Sequence, residues 1–203
     1  MSIIDVDDNT SSRITTSSND KKNKLIVTII NPDVEVILPE PKYGYRTTKS
    51  TWDELVQVIQ IEFDIHKLCR SRDQQQVYEV FRYHMKEQYR SSLDYILISK
   101  FGFDAVVVVE DETKWMMAEP CLENVDTSKI ILAENDFPYY VEDNIVHYVL
   151  WKIKEPITQQ EILDAREELQ TEKIKALKIL QWVNPPNLKS FPEIDHVHFL
   201  CRL

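Results

Sequence analysis

HVHFLCR, residues 196–202, reads as a β-strand, and the demands of its two faces decide the fold. Side chains alternate along a strand, so His196, His198, Leu200 and Arg202 share one face, and Val197, Phe199 and Cys201 the other. The second face is apolar and belongs to a core. The first carries two imidazoles and a guanidinium, with about 7 Å between every second residue along the strand. A second run, VHYVLWK at 146–152, puts His147, Val149 and Trp151 on one face. If the two strands are neighbours, three imidazoles converge. The loop entering the second strand supplies Asn135, Asp136, Tyr139 and Tyr140, and loops that feed a rigid sheet are frequent places for binding groups.

Outward from these strands, 129–132 and 179–183 read as further short strands, the latter joined to 196–202 by the Pro-rich loop NPPNLKSFPEID. DAVVVVE (104–110) and TKWMM (113–117) suggest a hairpin. A helix is expected from Ser50 or Thr51, with Asp53 or Glu54 three residues on, and Leu55, Val56, Ile59 and Phe63 following at helical spacing. Val77, Phe81, Met85, Tyr89, Leu93, Leu97 and Phe101 then recur every four residues across Ser91-Ser92, which predicts two helices or one bent one. That stripe reads as core, with His84 beside it as a surface or satisfied core residue. Thr158 with Glu161 opens a last helix through Ile162, Leu169 and Ala176. Helices and strands in mixed order, without regular βαβ alternation, indicate α+β: a helical N-terminal half packed on a mostly antiparallel sheet in a single domain. Ahead of that domain, 50–203, residues 1–22 read as a disordered polar tail, and 23–49 as a β-hairpin and linker appendage.

Composition excludes several functions. A formal charge of −10 argues against nucleic acid as the main partner. No apolar run reaches the roughly 18 residues of a membrane span, and acidic residues stand near the N-terminus where a signal peptide would be basic. A cytoplasmic protein is expected. Cys69, Cys121 and Cys201 have no CxxC spacing and read as free thiols. Gly44 and Gly102 are the two glycines of the chain. Neither a dinucleotide fingerprint, a P-loop nor a GxSxG elbow can be written with them.

Three chemical readings of the histidines stand open. His-x-His on a strand with a third His nearby can hold zinc with a position left for water. The imidazoles and Arg202 can instead bind a phosphate or carboxylate, one His acting as general acid or base. In the third reading the ring nitrogens bond to backbone and carboxylates and hold a sheet edge in register. The spacing alone names no metal or cofactor.

The same residues carry a family resemblance. Thr51-Trp52-Asp53-Glu54-Leu55, then Leu68, Arg70, Ser71, Tyr78 and Tyr89, follow a Trp-led helix and a Leu-x-Arg-Ser step into a tyrosine-bearing helix. Asn135, Asp136, Phe137, Pro138 and Tyr139 precede His147, Val149 and Trp151 in the expected order. Trp182, Asn184, Leu188 and Ser190 lead to the closing His196-Val197-His198 and Arg202. From about 50 to 203 the chain resembles the fungal-type N-acetylglucosamine-induced protein family, a domain of unknown function. It departs where the family usually has glycine, at Arg90 and Tyr140.

The resemblance implies no established reaction, but it lays the polar cluster on motif positions. His147, His196 and His198 are therefore the catalytic candidates. Arg202, Asn135, Asp136 and Tyr139 are expected to bind ligand, with Trp151, Trp182 and Asn184 beside them. The expected ligand is a phosphorylated or sugar-nucleotide small molecule. The alternative is a non-enzymatic adaptor that recruits a protein partner by strand addition at the N-terminal hairpin.

Overall fold

The four strands predicted around the histidines form one antiparallel sheet, and helices cover both of its faces. The computed structural model describes residues 44–110, 112–119 and 129–203; the tail at 1–22, the hairpin at 25–38 and Cys121 lie outside the described residues. Three helices come first. α1 (Trp52–Val56) opens on a capping box between Thr51 and Glu54, runs on as a wider π-turn to Glu62, and stops at Phe63, which adopts φ 55°. α2 (Arg72–Gln88) opens on a second capping box, Ser71 with Gln74. α3 (Ser92–Ser99) is capped by Ser91.

The long stripe thus resolves into two helices, broken where Tyr89 turns extended and bridges to Met116. Its expected register holds only in part. Phe81, Met85, Leu97 and Phe101 are buried, whereas Val77 is 56% exposed and Tyr78 takes its place. The reason is geometric: a strict four-residue step gains on the 3.6-residue turn and rolls off the buried face.

β1 (Ala105–Glu110) and β2 (Thr113–Ala118) make the expected hairpin as a separate two-stranded sheet. It is tied to the helices where the Ala118 N–H donates to Asp94 Oδ1 (2.9 Å) and the Arg90 N–H to the Met116 carbonyl (3.0 Å). The main sheet has β3 (Ile130–Glu134), β4 (Ile145–Lys152), β5 (Lys178–Trp182) and β6 (Asp195–Arg202), in the order β3-β4-β6-β5. β4 and β6 are central, pairing from Ile145↔Arg202 through Val149↔His198 and Trp151↔His196 to Lys152↔Asp195. Paired residues share a face.

On one face Ile145, Val149, Trp151, Leu180, Trp182 and Leu200 pack under α1, α2 and α3. On the other, Tyr148, Leu150, Val197, Phe199 and Cys201 pack against Ala165 and Leu169 of α4 (Gln159–Glu168) and its continuation. Lys152 locks that helix down: its ammonium donates to both carboxylate oxygens of Glu161, at 2.8 and 3.1 Å. The histidine face is therefore an interior layer rather than a sheet edge. His147 and His196 are each 2% exposed and His198 7%.

Because both faces of β6 are core, its apolar side is costly to hollow out. Phe199→Ala is expected to lower unfolding free energy by about 3–5 kcal/mol, while Leu177→Ala, at a residue 74% exposed just before β5, stays within about 0.5 kcal/mol. Urea denaturation of both variants checks this.

Candidate functional site

Trp182 supplies the fixed point of the site. An indole N–H can only donate, and it donates to Asn184 Oδ1 at 2.9 Å. This orients the amide, whose Nδ2 then donates to His198 Nε2 at 3.1 Å. With Nε2 accepting, a neutral His198 carries its proton on Nδ1, which donates to His147 Nε2 at 3.0 Å. One directed chain therefore runs Trp182 → Asn184 → His198 → His147, and it fixes both tautomers as Nδ1–H.

The rings are also stacked into place. His198 lies parallel to Trp182 with centroids 5.0 Å apart, and His147 parallel to Tyr139 at 5.2 Å. Asn135 closes the far side. Its Oδ1 accepts from the Phe137 N–H (2.9 Å), an Asx turn. Its Nδ2 lies 3.2 and 3.3 Å from the two ring nitrogens of His147. A nitrogen equidistant from both cannot lie in the ring plane without colliding with Cε1, so it sits over the ring face.

His196 is held differently. Its Nδ1 donates to the Ile194 carbonyl at 3.0 Å, because a carbonyl can only accept. Nε2 of the neutral ring is then an acceptor. The ring lies between Trp151 (centroids 4.7 Å) and His198 (5.2 Å, edge to face).

Burial keeps all three imidazoles uncharged near neutral pH. It pushes His147 down from 6.5 to about 3, with the Arg70 guanidinium adding to the effect. Burial first, then the neighbouring His147, His196, Arg70 and Lys189, holds His198 well below its ordinary value. His196 is lowered mainly by burial, partly offset by the Ile194 carbonyl.

His196 and His198 line a cavity of about 430 Å³ bounded by the sheet, by α2 with the segment ahead of it, and by the loop between β5 and β6. Positive charge enters it from Arg70, Arg82 and Lys189. Arg82 is paired with Glu79 and Lys189 with Asp195, each at 3.3 Å. Arg70 has no carboxylate partner among the described residues. Its Nε and Nη2 donate to the Phe137 carbonyl (3.1 and 2.8 Å) and Nη1 to Gln75 Oε1 (3.3 Å). Those bonds use three of the five guanidinium N–H groups and leave two. The guanidinium also lies over the Tyr78 ring, 4.1 Å from its centroid.

The sequence-derived site residues divide accordingly. Asn135, Tyr139, Trp151, Asn184, His196 and His198 line the cavity, with His147 and Trp182 directly behind them. Asp136 turns away to an ion pair with Lys100, beside a smaller hollow of about 250 Å³.

Arg202 is not among the residues that line the cavity. It pairs with Ile145 and Lys178, four residues along β6 from His198, because alternation sets the face of a residue but not its distance along the strand. The cavity's unpaired guanidinium is that of Arg70, just ahead of α2, a position that strand patterns cannot reach. Its signal lay in the Leu-x-Arg-Ser step, and that of Tyr78, whose hydroxyl meets Ser190 Oγ at 2.8 Å, in the helix motif. Among the described residues no three His, Cys, Asp or Glu side chains converge as metal ligands, and the lone pairs of His147 and His198 are already engaged.

The fold and site define an α+β protein with a histidine-floored, arginine-bearing cavity between its helices and a central antiparallel sheet. The chain belongs to the family described as protein of unknown function (DUF3605), whose model matches residues 51–202. It is similar to the uncharacterized protein YPL067C of Saccharomyces cerevisiae, 25% identical over 168 residues, covering 73% of this chain and 77% of that protein. Among solved structures it is similar to the crystal structure of HTC1, at 22% identity and a TM-score of 0.48, covering 79% of this chain and 86% of that one. Among the described residues, no helix is long and apolar enough to cross a membrane.

Neutral buried histidines give a signed pH dependence. Unfolded histidine takes up protons below about 6.5 while folded His147 stays neutral down to about 3, so stability is full above 6.5 and is lost as pH falls. Each such ring contributes a slope of up to about 1.4 kcal/mol per pH unit in that window. Urea midpoints between pH 5 and 7 should show a shallower slope in His147→Gln than in the unsubstituted chain. Nitrogen-resolved NMR at pH 7 should find the protons of His147 and His198 on Nδ1.

Proposed function

We propose that the cavity binds a small anionic metabolite, a phosphorylated sugar or the sugar-phosphate end of a sugar nucleotide. The observation that carries the reading is Arg70, a guanidinium without a carboxylate partner among the described residues, lining the same cavity as His196 and His198. An uncompensated cation of this kind suits an anion. The volume of about 430 Å³ lies within the usual range of small-molecule sites. Trp151, Tyr78 and Tyr139 offer aromatic faces to the apolar side of a sugar ring, and Asn135 and His196 offer polar contacts. The resemblance to N-acetylglucosamine-induced proteins supports a ligand drawn from amino-sugar chemistry.

The neutral histidines set the electrostatics of this reading. The charge that attracts the anion comes from Arg70, not from imidazolium, so phosphate affinity should change little between pH 6 and 8 beyond the ligand's own ionisation. His198, backed by His147, forms the rigid floor against which the ligand is held.

Calorimetric titration with phosphate esters tests the reading. Arg70→Met should weaken binding by at least about tenfold, on the scale of a lost charge-assisted hydrogen bond, whereas Arg202→Met should leave it unchanged. Equal binding by the Arg70 variant and the unsubstituted protein would overturn the assignment.

A further inference from the structure

His196 holds an acceptor that no described residue uses. Nδ1–H is committed to the Ile194 carbonyl, which leaves the Nε2 lone pair. No side-chain or backbone donor among the described residues meets it. The ring is almost wholly buried, and its position is set by Trp151 on one side and His198 on the other. It lines the cavity that Arg70 enters. The two groups are complementary in kind: Arg70 presents spare donors and no acceptor, and His196 presents one acceptor and no spare donor.

From this pairing we infer that His196 selects the ligand. Its Nε2 accepts a hydrogen bond from a hydroxyl of a pentose or hexose monophosphate whose phosphate is held by Arg70. The inference rests on the cavity's proposed function as an anion site and adds the chemistry of the rest of the ligand. A bare anion or a hydroxyl-free phosphate ester satisfies Arg70 but leaves the His196 lone pair unanswered. A site built to bond a hydroxyl rejects the analogue that lacks it, since its own polar group is then left unpaired. The nearby Trp151 and Tyr78 rings suit the C–H face of a sugar, which places its hydroxyl edge toward the polar groups. No proton moves in this role, so His196 is a specificity residue.

The experiment is calorimetric titration of the whole chain with five probes: inorganic phosphate, ribose 5-phosphate, glucose 6-phosphate, and the ring analogues of the two sugars without hydroxyls, tetrahydrofurfuryl phosphate and tetrahydropyran-2-ylmethyl phosphate. At least one sugar phosphate should bind about tenfold or more tighter than its hydroxyl-free analogue. In His196→Asn, whose amide can still donate toward the Ile194 carbonyl but stops short of Nε2, that preference should shrink to within about twofold, with the analogue's affinity unchanged. His196→Gln, which reaches further, should restore part of it. Nitrogen NMR of the unsubstituted protein should show the Nε2 resonance of His196 moving on addition of the sugar phosphate and staying still with its analogue, a reading that holds even if the variants do not fold.

Phosphates that bind alike with and without hydroxyls would overturn the role of His196 and leave the anion site standing. A preference that survives His196→Asn would place hydroxyl recognition elsewhere. If no probe binds at all, inorganic phosphate included, the proposed function fails and this inference with it.

Discussion

Everything at the cavity depends on the pairing of β4 with β6. Val149 stands opposite His198 and Trp151 opposite His196, and this sets His147 within 3.0 Å of His198. A slip of one residue would turn every side chain of one strand to the other face. Here such a slip is opposed from both sides at once. It would drive histidines into the α4 layer and bring Phe199, Cys201 and Val197 under α1, α2 and α3. Where both faces are buried, register is among the most strongly specified features a sheet can have.

The polar chain inside this layer is consistent with that constraint. Buried polar groups are tolerated when each finds a partner, and here every link has a direction. The Trp182 indole determines which way Asn184 points, Asn184 determines where His198 carries its proton, and His198 in turn determines His147. Four elements are tied by that chain: β4, β6, β5 and the loop that follows β5. The loop between β3 and β4 joins them through Asn135, whose own N–H donates to the His147 carbonyl at 2.7 Å. The same loop is pinned to the segments leading into α1 and α2, since the Tyr140 N–H donates to the Cys69 carbonyl and the Ser50 N–H to the Tyr140 carbonyl. Rigid placement of this kind is what a binding site requires of its surroundings.

A low-dielectric floor of neutral rings beside an unpaired guanidinium is an uneven distribution of charge. Arg70 keeps its guanidinium by bonding to a carbonyl and an amide and by resting on the Tyr78 ring, without being neutralised. Arg82 and Lys189, by contrast, are each held by a carboxylate. Among the described residues, Arg70 alone of these cations therefore has its charge left to offer a ligand.

By itself the sequence determined the local elements and the faces of the strands. Period-two alternation placed His196 and His198 on one side of β6 and His147 with Trp151 on one side of β4, because the strand geometry that sets it is a property of the backbone. The Thr51 and Thr158 helix starts were legible for a similar reason, since a capping box is made within four residues. What only the tertiary structure decided were the distances between elements. Alternation could not say how far along β6 Arg202 lies from the histidines. Nor could it show that Arg70, just ahead of α2, would line the same cavity. Which face of α2 is buried was also settled there, by packing that favours Tyr78 over Val77. The protonation pattern of the histidines followed last, because it depends on burial and on an indole and an amide brought together only when β5 and β6 pair.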